Sequence, residues 1–587
     1  MFNTKKIMFL WSMPLLFLGE GIGEGSSLAS LPDPHYSDGL PPSICPLMEK
    51  VKYIIYPVIG SPTIVVAGER LMAMVSLDDG GKTQDWVMTI STHDRVSQTY
   101  TLADVECNFN VSIGNYTVTG IVPHQVPRDV FNLRITSEGS GISDSQPNAV
   151  RVITETKHDY RFVHLTDLHV GDPLSYLTPL SDENSNASTL HCGYHSFSEL
   201  SFLDPEFIIF SGDLVFGGPY FLEYLWAWEI LRSFSLPIFM VPGNHDGYVS
   251  GGGLVRDGLE YWKQVIGPPY YSFNYGDRHH FACVNTYDGS AYQRDGFYFI
   301  VQRWGGALSQ EQVEWLEEDL KEASDDKMNS IVVCHHDPRG DINNRLGGEN
   351  NPADKDKDGY AEASELLDCL FYQEWNDRES GEEMVNIIRE INTNVSPLGT
   401  ITHIFLGHVH SDFIDLDEES TTWWIHTTSA GSARNSNDDF WGYRVIEVEN
   451  DQIVRVNQTA PEGKELPPGD NDPTNNQEWE YQSYPSNNIF ISTTQGGNDG
   501  TTTLVVQKVV NYLETSVTGV LKFYMPRVKE DDSEQNNYGY QISGGSIRQI
   551  ARSGINGDGD KLIFYIDTAV DPGETKKVTL EYNNSED

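Results

Sequence analysis

Aspartate, asparagine and histidine residues recur in five short clusters in the middle of the chain. Each cluster directly follows a run of apolar, strand-forming residues. The clusters are Asp167 and His169 in LTDLHVGD, Asp213 in FSGDLVFGG, Asn244, His245 and Asp246 in VPGNHD, His335 and His336 in VVCHHDP, and His408 and His410 in FLGHVH. In open α/β sheets the loops at the carboxyl ends of the strands converge in one crevice, so these side chains are expected to meet in space.

The type of ligand points to a metal site. Oxygen and imidazole groups without thiolate suit Mn²⁺, Fe²⁺, Zn²⁺ or Co²⁺. The candidate ligands outnumber those that one ion uses, whereas two ions about 3.5 to 4 Å apart share a bridging carboxylate and take further ligands each. Side chains at i and i+2 of an extended segment point the same way, so both members of the DxH and HxH pairs are expected to face the crevice.

These motifs, in this order, resemble the calcineurin-like metallophosphoesterase superfamily, whose pattern is DxH, GD, GNH(D/E), a lone or paired His, and GHxH. The resemblance covers roughly residues 158 to 456. Carried over position by position, it implies two metal ions bridged by Asp213. The other implied ligands are Asp167, His169 and His410 for the first ion, and Asn244, His335 and His408 for the second.

Three further residues of the motifs receive roles from the same resemblance. His335 follows its strand directly, as the family ligand does, whereas His336 has the HxP spacing of some members; His335 is preferred and His336 stays an alternative ligand or a neighbour of the site. His245 is expected beside the bound phosphate, where it donates a hydrogen bond or a proton to the leaving oxygen. Asp246 is expected to orient it.

The resemblance implies a binuclear metal-dependent phosphoric ester hydrolase, either a phosphomonoesterase or a phosphodiesterase, in which a metal-bridging hydroxide attacks phosphorus. The expected partner is a small-molecule or polymeric phosphoester. The alternative is an extracellular binding or adhesion protein whose metal domain is vestigial, and the intact ligand pattern counts against it.

The net charge of −47 argues against a nucleic-acid groove and requires that any bound phosphate be held by local cations. Candidate substrate contacts lie in loops near the strand ends, with surface ion pairs as the alternative interpretation. They are Arg294, Arg303, Arg339, Arg345 and Arg434.

Residues 353–366 read ADKDKDGYAEASEL, which matches the spacing of an EF-hand calcium loop. The predicted Ca²⁺ ligands are Asp354, Asp356, Asp358, the carbonyl of Tyr360, Glu362 through water, and bidentate Glu365, with Gly359 at the turn. The preceding residues lack helical periodicity, so a lone structural loop is predicted. An acidic surface loop without calcium is the alternative.

The order of patterns along the chain predicts three folded domains. Short β-rich segments broken by turns indicate sandwiches at both ends, and strands alternating with helical periodicity indicate an α/β domain between them. The predicted bounds are 30–155 for an N-terminal β-sandwich of immunoglobulin or fibronectin-III type, 156–458 for the catalytic domain, 459–487 for a linker and 488–587 for a C-terminal β-sandwich. The resemblance implies that the catalytic domain is an α/β (α+β) fold of four layers with central mixed β-sheets.

The first 25 residues resemble a secretory signal peptide. Lys5 and Lys6 precede the apolar residues 7–18 and the small, Gly-rich GEGIGEGSS. An uncleaved anchor is the alternative, but the apolar run is shorter than the about 20 residues that a membrane span needs. A secreted or cell-surface protein without a transmembrane segment after cleavage is therefore predicted, and the sequence does not indicate an oligomeric state.

Overall fold

The computed structural model describes residues 50–77, 85–111, 114–172, 189–250, 256–296, 304–339, 378–393, 399–417, 419–431, 441–454, 482–528 and 534–583. The predicted signal peptide, the predicted calcium loop at 354–365 and most of the predicted linker lie outside these residues. Within the described residues, no helix combines the length and the apolarity that a membrane crossing requires.

An N-terminal strand-rich region forms two sheets that share a buried apolar core. One sheet has the antiparallel order β1-β3-β7-β6, and the other contains β2-β9-β8-β4-β5. Alternating burial along β4 and β8 is the pattern of strands with one face in the core. The strands are β1 (Ile54–Tyr56), β2 (Thr63–Val66), β3 (Arg70–Ser76), β4 (Trp86–Ser91), β5 (Gln98–Thr101), β6 (Ala103–Asn110), β7 (Asn115–Ile121), β8 (Asp129–Ser137) and β9 (Ile142–Ile153).

The central region contains two mixed six-stranded sheets and a small three-stranded sheet, β14-β13-β17. The first large sheet has the order β12-β11-β10-β22-β23, with β24 also paired to β22, and the second has the order β15-β16-β18-β19-β21-β20. The strands are β10 (Tyr160–Leu165), β11 (Ile208–Ser211), β12 (Ile238–Val241), β13 (Val249–Ser250), β14 (Arg256–Asp257), β15 (Tyr271–Tyr275), β16 (His279–Cys283), β17 (Asp295–Gly296), β18 (Asn329–Val333), β19 (Ile401–Leu406), β20 (Phe413–Asp417), β21 (Thr422–His426), β22 (Gly442–Glu449), β23 (Gln452–Ile453) and β24 (Gln482–Pro485).

Helices cover the outer faces of the two large sheets. Helix α6 places Val313, Leu316 and Leu320 on one face, and these side chains pack with α7 against the second sheet. Its first turn is capped by Ser309, whose hydroxyl accepts from the Gln312 N–H at 3.3 Å. The helices are α1 (Thr189–Leu203), α2 (Tyr220–Arg232), α3 (Asn244–Gly247), α4 (Gly258–Val265), α5 (Ala291–Arg294), α6 (Gln310–Asp325) and α7 (Arg378–Thr393).

The two large sheets bury a common aromatic core between them. Phe162 stacks on Phe207 with centroids 5.3 Å apart, and Phe273 stacks on Phe239 at 3.6 Å. Phe405 meets Phe162 edge to face at 5.7 Å, which joins the second sheet to the first. Aromatic pairs of this kind contribute about 0.5–1.5 kcal/mol each beyond their buried area, so this core fixes the relative position of the sheets.

The C-terminal strand-rich region forms a sheet of order β25-β26-β32-β28 and a sheet of order β27-β31-β29. Helix α1 contacts β25 and β27, and the apolar cores of the central and C-terminal regions are continuous. The elements are β25 (Ile489–Gln495), β26 (Leu504–Asn511), β27 (Val517–Pro526), a 3₁₀ helix (Glu534–Gly539), β28 (Tyr540–Ser543), β29 (Ser546–Arg552), β30 (Gly554–Ile555), β31 (Lys561–Val570) and β32 (Thr575–Tyr582).

Two strands pair across the domain bounds that the sequence predicts. Strand β30 extends the second N-terminal sheet by pairing in parallel with β5, with Gly554 opposite Gln98. Residues Gln482–Pro485 were predicted as the end of a linker, but they form β24 and pair with β22 of the central region. Their backbone groups find partners there because Gly442 lets the strands approach closely: a Cβ at this position would lie 2.0 Å from the Tyr484 carbonyl oxygen.

Buried ion pairs connect all three regions around a cavity of about 330 Å³. Asp204 of the central region contacts Arg128 and Arg151 of the N-terminal region and Arg548 of the C-terminal region. Burial raises the pKa of the Asp204 carboxyl group, but the three guanidinium groups outweigh it and hold this pKa well below its usual range. On the same cavity, the Lys522 ammonium lies 2.7 Å from Asp129 of the N-terminal region.

We predict that Asp204→Asn lowers the free energy of unfolding by about 3 kcal/mol near pH 7, because it removes the ion-pair partner of the buried Arg151 guanidinium and one of the two partners of Arg128. A depressed pKa means that the stabilisation is present above the unfolded value of about 3.9 and is lost as pH falls below it. The difference between wild type and variant in denaturant titrations should therefore shrink below about pH 4. Exposed Asp277→Asn is the control, and a difference that does not depend on pH would contradict the assignment.

Candidate metal centre

The five sequence clusters lie at the carboxyl ends of neighbouring strands. Strands β10, β11 and β12 are parallel neighbours, so the segments that follow them emerge at one edge of the first sheet. Strands β18 and β19 are parallel neighbours in the second sheet and lead to His335 and His408. The two edges meet. The Asp and His side chains that follow these strands lie close together, as predicted.

Several of the converging residues have a left-handed backbone conformation. For a residue other than glycine this conformation costs about 1–2 kcal/mol, and such residues concentrate at functional sites. These positions turn the chain sharply as it leaves each strand, which aims the side chains inward. They are Asp167 (φ 54°), His169 (φ 49°), Asp213 (φ 59°), His408 (φ 70°) and His410 (φ 54°).

One group of facing side chains consists of Asp167, His169, Asp213 and His410, with a potential ligand atom of each within 4.8 Å of all the others. The His410 Nε2 atom lies 3.1 Å from Asp167 Oδ1 and 3.1 Å from His169 Nε2. Asp167 Oδ1 is buried and makes no aligned hydrogen bond within the described residues. A buried carboxylate oxygen without an aligned hydrogen bond, facing two imidazole nitrogens, suits a divalent cation. This set of donor atoms therefore fits a metal site.

A second group of side chains also borders Asp213. His335 Nε2 is 3.2 Å from Asp213 Oδ2 and 3.0 Å from Asn244 Oδ1. His408 Nδ1 is also 3.0 Å from Asn244 Oδ1. The carboxylate of Asp213 therefore borders both groups, since the same Oδ2 atom lies 3.6 Å from His169 Nε2.

The two adjacent histidines of the VVCHHDP segment face different partners. His335 Nδ1 lies 2.6 Å from the Ser211 carbonyl oxygen, which can only accept, so Nδ1 donates to it and Nε2 is the ring atom that faces Asp213 and Asn244. His336 Nε2 lies 2.8 Å from the Trp304 carbonyl oxygen, and its Nδ1 lies 2.9 Å from the Thr286 hydroxyl. This geometry favours His335 as the ligand, although the His336 ring is close enough to belong to the same histidine group.

The Asp213 carboxylate interacts strongly with the charges of the histidines around it. Burial lowers the pKa of His335, but the nearby carboxylate reverses this and raises it to about 9. Burial also favours the neutral form of Asp213, yet the imidazoles of His335 and His245 hold the pKa of this carboxyl well below its usual range. The site therefore retains a buried negative charge that requires a positive partner, either protons on histidine or metal cations.

His245 is held at three points. Its backbone N–H donates to Asp213 Oδ1 at 2.8 Å, and its carbonyl oxygen accepts from the Tyr220 hydroxyl at 2.7 Å. The ring Nδ1 lies 2.5 Å from the Phe216 carbonyl oxygen and must donate to it. Nε2 is then the ring atom that remains for a substrate, 4.0 Å from Asp213 Oδ2.

The expectation that Asp246 orients the His245 ring is wrong, because the Phe216 carbonyl occupies the ring nitrogen that Asp246 would have to bind. The Asp246 carboxylate instead accepts three backbone N–H groups, from Gly243 at 2.9 Å, Leu214 at 3.2 Å and Val215 at 3.0 Å. Burial and the charge of Asp213 raise the pKa of Asp246 to about 7. Asp246 thus ties together the segments that carry Asp213 and His245.

Comparison with known proteins agrees with this geometry. Residues 160–412 match the model of the calcineurin-like phosphoesterase family. This part of the chain is a calcineurin-like phosphoesterase domain. The resemblance inferred from the sequence motifs is confirmed.

Individual relatives of the phosphoesterase domain are distant. A Fibrobacter succinogenes protein named probable cyclic nucleotide phosphodiesterase is 22% identical over 266 residues, which cover 45% of this chain and 78% of that protein. The structure of a purple acid phosphatase from yellow lupin (Lupinus luteus) is 13% identical and covers 65% of this chain and 69% of its own, with a TM-score of 0.34. A Thermus thermophilus structure is 11% identical and covers 50% of this chain and 97% of its own, with a TM-score of 0.27.

Two candidate substrate contacts of the phosphoesterase domain already have internal partners. The Arg294 guanidinium is buried and pairs with both oxygens of Asp257 at 2.9 and 3.0 Å. Arg339 pairs with Asp337 and lies over the Trp424 ring at 4.1 Å. Both arginines therefore act as structural cations here, which corrects the expectation for them. Arg303, Arg345 and Arg434 lie outside the described residues.

Tyr248 was not singled out from the sequence, yet it fixes the Asn244 side chain. The Asn244 Nδ2 group donates to the Tyr248 hydroxyl at 2.7 Å, which turns Oδ1 toward His335 and His408. Neither residue is exposed beyond 2%. The GNHDGY segment has tyrosine four residues after the asparagine, which is the spacing of neighbours on one helical turn.

We predict that Tyr248→Phe weakens Mn²⁺ or Zn²⁺ binding at the Asn244 side of the site about ten-fold, because hydrogen-bond partners of metal ligands affect affinity by this order. Chelator competition with metal-free protein measures this change without any assay of activity. Tyr292→Phe, at a tyrosine that is 80% exposed, is the matched control. Equal affinities of Tyr248→Phe and wild type would contradict the positioning role.

Proposed function

We propose that this chain is a secreted, binuclear metal-dependent phosphoric ester hydrolase, acting on phosphomonoesters or phosphodiesters. The observation that carries the proposal is the position of the Asp213 carboxylate, whose Oδ2 atom lies 3.6 Å from His169 Nε2 and 3.2 Å from His335 Nε2. One buried carboxylate that borders two separate groups of oxygen and imidazole donors is the arrangement that a pair of metal ions requires.

The wider organisation of the chain is part of this proposal. The catalytic domain would be a four-layer fold at residues 156–458, flanked by β-sandwich domains at 30–155 and 488–587. The helices, the two large sheets and their shared core support the four layers. Cleavage of residues 1–25 as a signal peptide would release the protein to the exterior.

The residues present fit two divalent metal ions, with Mn, Fe and Zn as the candidates. Bound ions would supply Lewis-acid polarisation of the phosphoryl oxygens and would acidify a water molecule. The proposed ligands are Asp167, His169 and His410 on one side, Asn244, His335 and His408 on the other, and Asp213 between them.

His245 is the proposed proton donor to the leaving oxygen. The Phe216 carbonyl binds Nδ1 and so aims Nε2 into the site. Burial lowers the pKa of His245 to about 4 in the absence of a substrate charge, and a bound phosphoryl group would favour the protonated ring. Asp246 acts as a positioning residue through the backbone groups that it binds.

We predict different signatures for two variants when hydrolysis of aryl phosphate mono- and diesters is assayed after metal reconstitution. His245→Gln should keep two metal equivalents and lose about 10²–10⁴-fold in kcat, because it removes only proton transfer. Asp213→Asn should lose metal as well as activity, because it removes the shared charge. Plasma emission spectroscopy gives the metal content of both proteins.

Exposed Asp277→Asn should match the wild type in both measurements. Hydrolysis unchanged by Asp213→Asn would contradict the mechanism. A wild-type protein that binds less than about one metal equivalent would instead favour the alternative of a binding or adhesion protein with a vestigial site, since an intact site holds two. The name of the Fibrobacter relative supports adding cyclic nucleotides to the substrate panel.

A structural Ca²⁺ bound by residues 354–365 remains part of the proposal. The acidic spacing supports it, since clustered carboxylates repel one another without a cation. Calcium at about 100 times its Kd should stabilise the fold by about 2.7 kcal/mol.

We predict that Glu365→Gln erases the calcium dependence of the melting temperature, whereas exposed Glu318→Gln retains it. A wild-type melting temperature that calcium does not change would contradict this site.

A further inference from the structure

Two partly exposed aromatic rings border the His245 imidazole. The ring centroid of Phe216 lies 5.5 Å from that of His245, and the centroid of Trp304 lies 6.2 Å from it. Phe216 also meets the ring of His169 edge to face at 6.3 Å. We call Phe216 and Trp304 the aromatic rim.

Each member of the aromatic rim is held by a contact of its backbone. The Trp304 carbonyl accepts from His336 Nε2 at 2.8 Å, and Thr286 contacts the other ring nitrogen of His336. His336, the second histidine of the VVCHHDP segment, therefore positions Trp304 and does not need to be a metal ligand.

On the opposite segment, the Phe216 carbonyl accepts from His245 Nδ1. The next two residues, Gly217 and Gly218, donate their backbone N–H groups to the Glu223 carboxylate at 3.0 Å. Two independent anchors therefore keep both rings beside the imidazole, so the rim is a built feature of the site.

We propose that the aromatic rim binds a flat aromatic ring carried by the leaving group of the substrate. The proposal rests on the proposed function, in which His245 donates to the leaving oxygen. A group attached to that oxygen must extend past the imidazole, where Phe216 and Trp304 offer aromatic surface. Neither ring can neutralise charge, so the rim selects for shape and aromaticity while the polar centre holds the phosphoryl group.

Equilibrium binding tests this proposal without turnover. The metal-loaded protein is titrated calorimetrically with phenylphosphonate and with cyclohexylphosphonate, which have similar size and charge but differ in planarity. Wild type should bind the phenyl compound about five-fold more tightly, the ratio that one aromatic contact provides. Trp304→Leu and Phe216→Leu should each reduce this ratio toward one, and Tyr292→Leu at an exposed ring should leave it unchanged.

A second pair of ligands identifies the source of the aromatic ring. Adenosine 5′-monophosphate and ribose 5-phosphate share a phosphate and a sugar, so their affinity ratio reports contact with a nucleobase. A Trp304-dependent ratio for this pair assigns the rim to nucleoside esters, and a Trp304-dependent ratio for the phosphonates alone assigns it to aryl esters. Ratios near one for both pairs in wild type would overturn the proposal.

His336→Asn separates positioning from metal binding. The variant should keep two metal equivalents and lose the preference for phenylphosphonate, because Trp304 loses its anchor. Loss of a metal equivalent would contradict this role for His336. Failure of the proposed function is distinguishable, since it would appear as absent hydrolysis of every phosphoester by a metal-loaded protein, whereas failure of the rim leaves hydrolysis intact.

Discussion

The buried carboxylate of Asp213 is the interaction on which the rest of the site depends. It is 1% exposed and remains ionised because the imidazole groups of His335 and His245 lie beside it. A buried charge of this kind is costly without a counter-charge, so its surroundings must supply positive charge. The backbone N–H of His245 supplies one hydrogen bond, at 2.8 Å, and the histidine groups complete the shell.

The packing of the two sheets stabilises this arrangement. Left-handed residues after β10, β11 and β19 are each unfavourable by about 1–2 kcal/mol, and they persist only where surrounding structure determines them. The aromatic core between the sheets and the carboxylate of Asp246 hold these residues in that conformation. Asp246 joins the segment after β11 to the segment after β12 through three backbone hydrogen bonds. The positions of the ligands thus follow from the packing of the sheets that carry them.

The metal-binding motifs can be recognised in the sequence because each of them is a short, local pattern of residues. Each motif follows an apolar strand, and the carboxyl ends of parallel strands meet, so the sequence alone predicts that Asp167, Asp213 and His335 lie close together. Contacts made by backbone atoms left no such signal. The Phe216 carbonyl that orients His245 could not be distinguished from any other carbonyl, and so the role of Asp246 was misassigned. The pairing of β30 with β5 joins residues separated by most of the chain, which no local pattern indicates.

Anomalous X-ray diffraction from crystals of the Mn²⁺-loaded protein tests whether Asp213 is shared by two metal ions. We expect two manganese peaks about 3.5 to 4 Å apart, both next to the Asp213 carboxylate. Asp167 and His410 should ligate one ion, and Asn244 and His335 the other. A single peak, or a peak ligated by His336 in place of His335, would contradict the proposed binuclear site.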